Sequence, residues 1–243
     1  TTFFERIRLI SFFLFAPCLL KIYRQLEENR PNHSGKCKAY WQFFGIGILL
    51  IAMIFGLKSL VFDFSFTPLK IPLLVKFLLA AAFLSFLEEW LFRGLIFGAM
   101  VNAMKPFQAI IFSSLIFAYF HFSPRYSIPA HHTFLNLSDG FRCFYENIFP
   151  GLNHIAYLKF LIIFSLGCLL ATVYFHSKNL FTAIGLHGGI VFALMICKTC
   201  FSFPVTNSFF GSNHLFDSPL AILLIATVGI GIHSYHGHFH PTK

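Results

Sequence analysis

Glu88, Glu89 and Arg93 are charged residues set inside the apolar run Pro72–Met100, which reads PLLVKFLLAAAFLSFLEEWLFRGLIFGAM. A charge at bilayer depth costs several kcal/mol, so an ionisable cluster there marks a functional site by default. The chain has nine acidic residues, and only Glu88 and Glu89 lie deep within an apolar run. Glu89 and Arg93 are four apart, so on a helix they share a face and can pair. Glu88 lies about 100° round the helix from Glu89. The two carboxylates are therefore expected to have different jobs, one held by Arg93 and one facing a cavity. A carboxylate facing a low-dielectric cavity can act as a general base. The same three groups could instead form a buried ion network that only locks helices together.

Two histidines lie in later apolar runs: His121 in FAYFHF and His187 in AIGLHGGIVFAL. Glu88 lies 17 residues before Lys105, and His121 lies 15 residues after Pro106. At 1.5 Å per residue both are roughly 23–25 Å from the Lys105-Pro106 turn, so a helical hairpin brings them to one depth. His187 is eight residues past Asn179, or only about 12 Å from that turn. Simple up-down geometry places it shallower than the other two, a gap that helix tilt or a recessed turn could close. Gly188 and Gly189 let a helix or a substrate backbone approach it closely. Two His and one Glu from three spans suit a catalytic metal with an open position for water. They suit equally a metal-free site, with Glu88 as general base and a His stabilising an oxyanion. Either His could also be a hydrogen-bonded packing residue. G-x-S-x-G and H-E-x-x-H are absent, which weakens the serine-hydrolase and zincin readings.

The elements that must position these groups are membrane helices. The chain is 57% hydrophobic and 11% charged, against about 25% charged in soluble domains. Its mean hydropathy is +0.73. The apolar runs are long and continuous, which disfavours a β-barrel. The fold class expected is all-α, a polytopic transmembrane bundle of about 6–8 spans. Clear spans are read over 40–62, 72–103, 107–122, 155–175, 180–197 and 219–232. A shorter run, 7–23, contains Pro17 and either spans or lies at the interface. Residues 1–39 are read as an N-terminal apolar helix and basic loop, and 40–243 as the transmembrane domain. Thr1–Cys18 shows no small-residue cleavage site. Lys58 is expected to snorkel at the end of its span.

The formal charge of +9 fits Lys and Arg collected in cytoplasmic loops against anionic lipid. On that rule Lys21–Lys38, Lys105 and Lys178 lie inside. Membrane lipid and a membrane-associated protein or peptide are the expected partners. No basic stripe with interleaved aromatics points to nucleic acid. Cys197 and Cys200 form an isolated C-x-x-C without the second pair a zinc site needs. His233, His236, His238 and His240 are read as a solvated tail, and His131-His132 as surface.

Glu88-Glu89-Trp90-Leu91-Phe92-Arg93 resembles the EExxxR motif of the CPBP family, the CAAX-processing and bacteriocin-processing intramembrane endopeptidases also called Abi. Phe117-Ala-Tyr-Phe-His121 resembles its FxxxH motif, and Leu186-His187-Gly188-Gly189 its third motif. The three occur in the family's order, within a motif core of 72–194. The resemblance implies a multi-pass helical protein, here of a bacterial inner (plasma) membrane, that hydrolyses peptide bonds, often of prenylated C-terminal peptides. It implies that Glu88 activates water, with Glu89 and Arg93 in support. It makes His121 and His187 oxyanion stabilisers or, with Glu88, ligands of a divalent metal, zinc first. The third motif often reads HxxxN or HxxxD, but Val191 stands at that position and can neither coordinate nor donate. This departure keeps open a catalytically weak scaffold or immunity protein on the same fold. A transporter lined by midplane charges is a third reading.

Overall fold

Backbone amides and carbonyls cannot be left bare in hydrocarbon, so runs this apolar satisfy themselves as helices. The computed structural model describes residues 36–122, 154–203 and 219–239. Within them, α1 is Lys36–Ser59 and α2 is Ile71–Glu89. A π-helical segment, Trp90–Phe97, continues α2 without a break into α3, Gly98–Ala103. Then come α4 Pro106–Phe122, α5 His154–Ser177, α6 Leu180–Cys200 and α7 Pro219–Phe239. Pro72 sits in the first turn of α2, where its missing N–H costs nothing.

Four helices are long and apolar enough to cross a membrane: Cys37–Ser59, Ile71–Ala103, Tyr157–Ser177 and Leu180–Cys200. Two of the expected spans are shorter apolar helices, Pro106–His121 and Pro219–Gly231. The all-helical membrane architecture thus holds, with four full-length spans among the described residues. The expected run 7–23 and the pair His131-His132 lie outside the described residues. The backbone of α7 stays helical through Phe239, so much of the His-rich tail continues the helix.

The core is built on α6. It is buried along most of its length from Leu180 to Ala193, with α1 against one side and α2 against another. Contact with α1 is backbone on backbone. A Cβ at Gly185 would collide with the Tyr40 carbonyl, and one at Gly189 with the Phe44 carbonyl. On α1, a Cβ at Gly47 would collide with the Leu186 carbonyl. Glycine at these positions is what lets the two helices touch. A larger apolar cluster, including Leu50, Ile54, Ile162, Leu170, Leu186 and Ile225, joins α1, α5, α6 and α7. The reversal between α5 and α6 is tight. Lys178 takes a left-handed backbone (φ 49°), and the Asn179 side chain accepts from the Phe181 N–H to cap α6.

At the opposite end, β1 (Ser65–Phe66) pairs antiparallel with β2 (Phe201–Ser202), in the register Ser65↔Ser202. The Thr67 N–H extends the ribbon by donating to the Cys200 carbonyl at 2.7 Å. This ties the start of α2 to the end of α6. Phe55, Phe64, Phe201 and Phe203 pack around the ribbon, with Phe55 and Phe201 centroids 4.3 Å apart. Lys58 does not snorkel outward as expected. It is buried, with Nζ 4.8 Å from the Phe203 ring centroid. The ribbon's aromatics close over the ammonium and give it a cation–π partner.

Candidate active site

α2 meets the bundle along a narrow stripe, Ala81, Ser85 and Glu89. The π segment that follows buries Trp90, Phe92, Arg93, Gly94, Leu95 and Phe97. The helix therefore passes from a mostly lipid-facing half into the core just where the charges lie. π segments are rare and recur at functional sites, because the wider turn re-aims side chains. Here it begins at the residue after Glu89, with Arg93 inside it.

The two carboxylates divide as their angular separation predicts. Glu89 is fully buried and accepts from Arg93 Nη1 at 2.8 Å. Arg93 is 2% exposed, and its Nη2 donates to the Gly167 carbonyl of α5 at 3.2 Å. The guanidinium also lies 4.2 Å from the centroid of the Phe117 ring. Glu88, by contrast, is 27% exposed and turns toward α4 and α6. Its Oε2 lies 3.0 Å from His121 Nε2 and 3.7 Å from His187 Nε2.

The remaining ring nitrogens fix the proton positions. His121 Nδ1 is 2.8 Å from the Phe117 carbonyl, which only accepts, so that nitrogen carries a hydrogen. His187 Nδ1 is 2.8 Å from Glu89 Oε1. Arg93 Nη1 donates to that same oxygen, which acts as an acceptor, so His187 Nδ1 also donates. In the neutral rings both Nε2 lone pairs then face Glu88 Oε2. One proton resolves the Glu88–His121 contact, and 3.0 Å is a hydrogen-bond distance. Phe117 walls the site, with its centroid 4.2 Å from His121 and 6.1 Å from His187.

All five residues singled out in the sequence, Glu88, Glu89, Arg93, His121 and His187, come together here. The gap in depth expected for His187 is closed, as a recessed turn would close it. That expectation set the turns at 103–106 and 177–180 on one level. By helical rise, Glu88 is about 23 Å from Ala103, whereas His187 is about 10 Å from Leu180. Since the two side chains meet, the hairpin of α2–α3 with α4 projects past the α5–α6 turn. The 33-residue helix Ile71–Ala103 has the length to do so. Sequence reading missed the Gly167 carbonyl, because a backbone oxygen leaves no signature. It also gave no place to Ser85, which is buried one turn before Glu89 on the same stripe.

Glu88 Oε2, His121 Nε2 and His187 Nε2 are the donor types zinc takes. As arranged, Glu88 meets His121 across a hydrogen bond, and no group of three His, Cys, Asp or Glu among the described residues is set to hold a metal ion. Cys197 and Cys200 are free thiols at the end of α6, away from this cluster.

No curated protein and no solved structure matches the chain. A family model does, over residues 70–193, just over half of the length. The matched region holds all five charged and imidazole groups of the site, together with the Phe117 wall and the Gly167 carbonyl. With that match, the chain belongs to the Rce1-like type II CAAX prenyl endopeptidase family.

Proposed function

We propose that this protein is an intramembrane endopeptidase that hydrolyses a peptide bond in a membrane-associated substrate, with a prenylated C-terminal peptide as the first candidate. The observation that carries the reading is the convergence of two imidazole Nε2 atoms on Glu88 Oε2, 3.0 and 3.7 Å away, while Glu89 is committed to Arg93 and His187. One carboxylate is free for chemistry and the other is structural.

The steps are assigned to protein groups. Glu88 takes a proton from water as its oxygen attacks the scissile carbonyl carbon. His187, held by Glu89, accepts the water's second hydrogen at Nε2 and aims it. His121 carries the cluster's extra proton at Nε2 and donates to the developing oxyanion. Glu88 then passes its proton to the leaving nitrogen as the C–N bond breaks, giving a carboxylic acid and an amine. A zinc ion on Glu88, His121 and His187 would instead activate the water and polarise the carbonyl.

The test is cleavage of a farnesylated CaaX peptide by the purified full chain in proteoliposomes. Wild type cleaves it, and Glu88→Gln and His121→Ala do not. Normal cleavage by both variants ends the proposal. Full activity in 1,10-phenanthroline supports the assignment to protein groups. Loss that added zinc restores moves Glu88, His121 and His187 to metal ligands.

Val191 favours a second reading. His187 lacks the polar neighbour that the family motif often carries, which suits a non-catalytic scaffold on this fold. That reading expects Glu88→Gln to leave the cellular phenotype intact while helix-packing substitutions remove it.

A further inference from the structure

Glu89 Oε2 is buried and has no hydrogen-bond partner among the described residues. Its sister oxygen takes both Arg93 and His187. A carboxylate offers about four acceptor sites, and a bare buried oxygen is costly. Ser85 is four residues before Glu89, so the two share one helix face, and helical side chains lean toward the N-terminus. Ser85 is fully buried on the same stripe. Its hydroxyl rests on the Ala82 carbonyl at 3.2 Å, a long bond within its own turn. It also faces α6, since a Cβ at Gly188 would stand 3.0 Å from Ser85 Oγ.

We propose that Ser85 is a positioning residue for His187. Its hydroxyl turns from the Ala82 carbonyl to donate to Glu89 Oε2, and so fixes the plane of the carboxylate that orients the imidazole. Gly188 leaves the hydroxyl room to turn, because no Cβ presses on it. The role matters in this chain because Val191 offers His187 no polar support from its own helix. Only the kinetic arm of the test rests on the proposed peptidase activity.

In proteoliposomes with a farnesylated CaaX peptide, Ser85→Ala lowers kcat about tenfold, the effect of a hydrogen bond to a charged group, with KM within about twofold. The double variant with Glu89→Gln is no slower than Glu89→Gln alone. An unchanged kcat, or losses that multiply, overturns the inference while the peptidase reading stands. If wild type does not cleave the peptide, the peptidase reading fails and thermal unfolding in detergent micelles decides the inference. Ser85→Ala then lowers Tm in the wild-type background and not in Glu89→Gln. An equal shift in both backgrounds marks a packing role and overturns it.

Discussion

Adjacent carboxylates in one helix would normally repel, yet here each has its own cation or imidazole. Glu89 is neutralised by Arg93 within one turn, so it can be buried completely. Glu88 stays 27% exposed and meets imidazoles on two other helices. Opposite outcomes follow for the two. Glu88→Gln is isosteric at a partly open position, so it lowers kcat by at least about 100-fold, the usual weight of a general base, and leaves the unfolding midpoint in place. Steady-state kinetics and thermal unfolding on one preparation check both halves. Arg93→Met strands a buried Glu89 charge and the Gly167 carbonyl, a break that costs about 3–5 kcal/mol. Denaturant titration in mixed micelles measures it, and a loss below about 1 kcal/mol would show that Glu89 is held by other groups. The five charged and imidazole residues were legible because an ionisable group inside an apolar run is costly and stands out, although a buried ion network with packing histidines reads the same way in sequence. The division of labour was legible too, since 100° per residue separates neighbours on any helix. Gly167 was not, because its contribution is a carbonyl that every residue owns.

At the level of elements, glycine positions decide how close α1 comes to α6. The three glycines that abut backbone, Gly47, Gly185 and Gly189, leave no side chain between the helices. Gly189→Ala must push against the Phe44 carbonyl, which cannot swing away as a side chain can. Such overpacking costs about 1–3 kcal/mol. Gly45 on the same helix α1 has open space at its Cβ, so Gly45→Ala is neutral or stabilises by about 0.5–1 kcal/mol through helix propensity. Paired unfolding curves check the contrast, and equal effects would mean that α1 and α6 are not in backbone contact. The sequence showed Gly188-Gly189 as a site of close approach but not which partner arrives. Nor did it show that α2 turns π-helical after Glu89, because a run of large apolar residues reads the same in either winding. The depth of His187 stayed open between a gap and a recessed turn for a related reason. Residue counts measure distance along a helix, and they say nothing about where each turn sits relative to its neighbours.

For the whole molecule, the short ribbon carries the topological information. β1 and β2 can pair only if the α1–α2 connection and the end of α6 lie on one side of the bundle. The turns at 103–106 and 177–180 then lie on the other. The site sits between, reached from α2, α4 and α6. Apolar composition made the membrane bundle legible at once, but a positive-charge bias resting mainly on one basic loop fixes sidedness only weakly. Cysteine labelling in intact cells gives the direct check, in a chain whose six native cysteines are replaced. Lys70, Ser202, Lys105 and Lys178 are all exposed, so each tolerates a single Cys. Lys70→Cys and Ser202→Cys should share one accessibility to an impermeant maleimide, and Lys105→Cys and Lys178→Cys the opposite one. The positive-inside rule further assigns the second pair to the cytoplasm, so only the first pair should label before the cells are opened. A reversal of both pairs would invert the protein in the membrane and leave the bundle intact. Different labelling of Lys70→Cys and Ser202→Cys would instead break the ribbon. With it would go the antiparallel packing of α2 on α6 that brings His187 to Glu88.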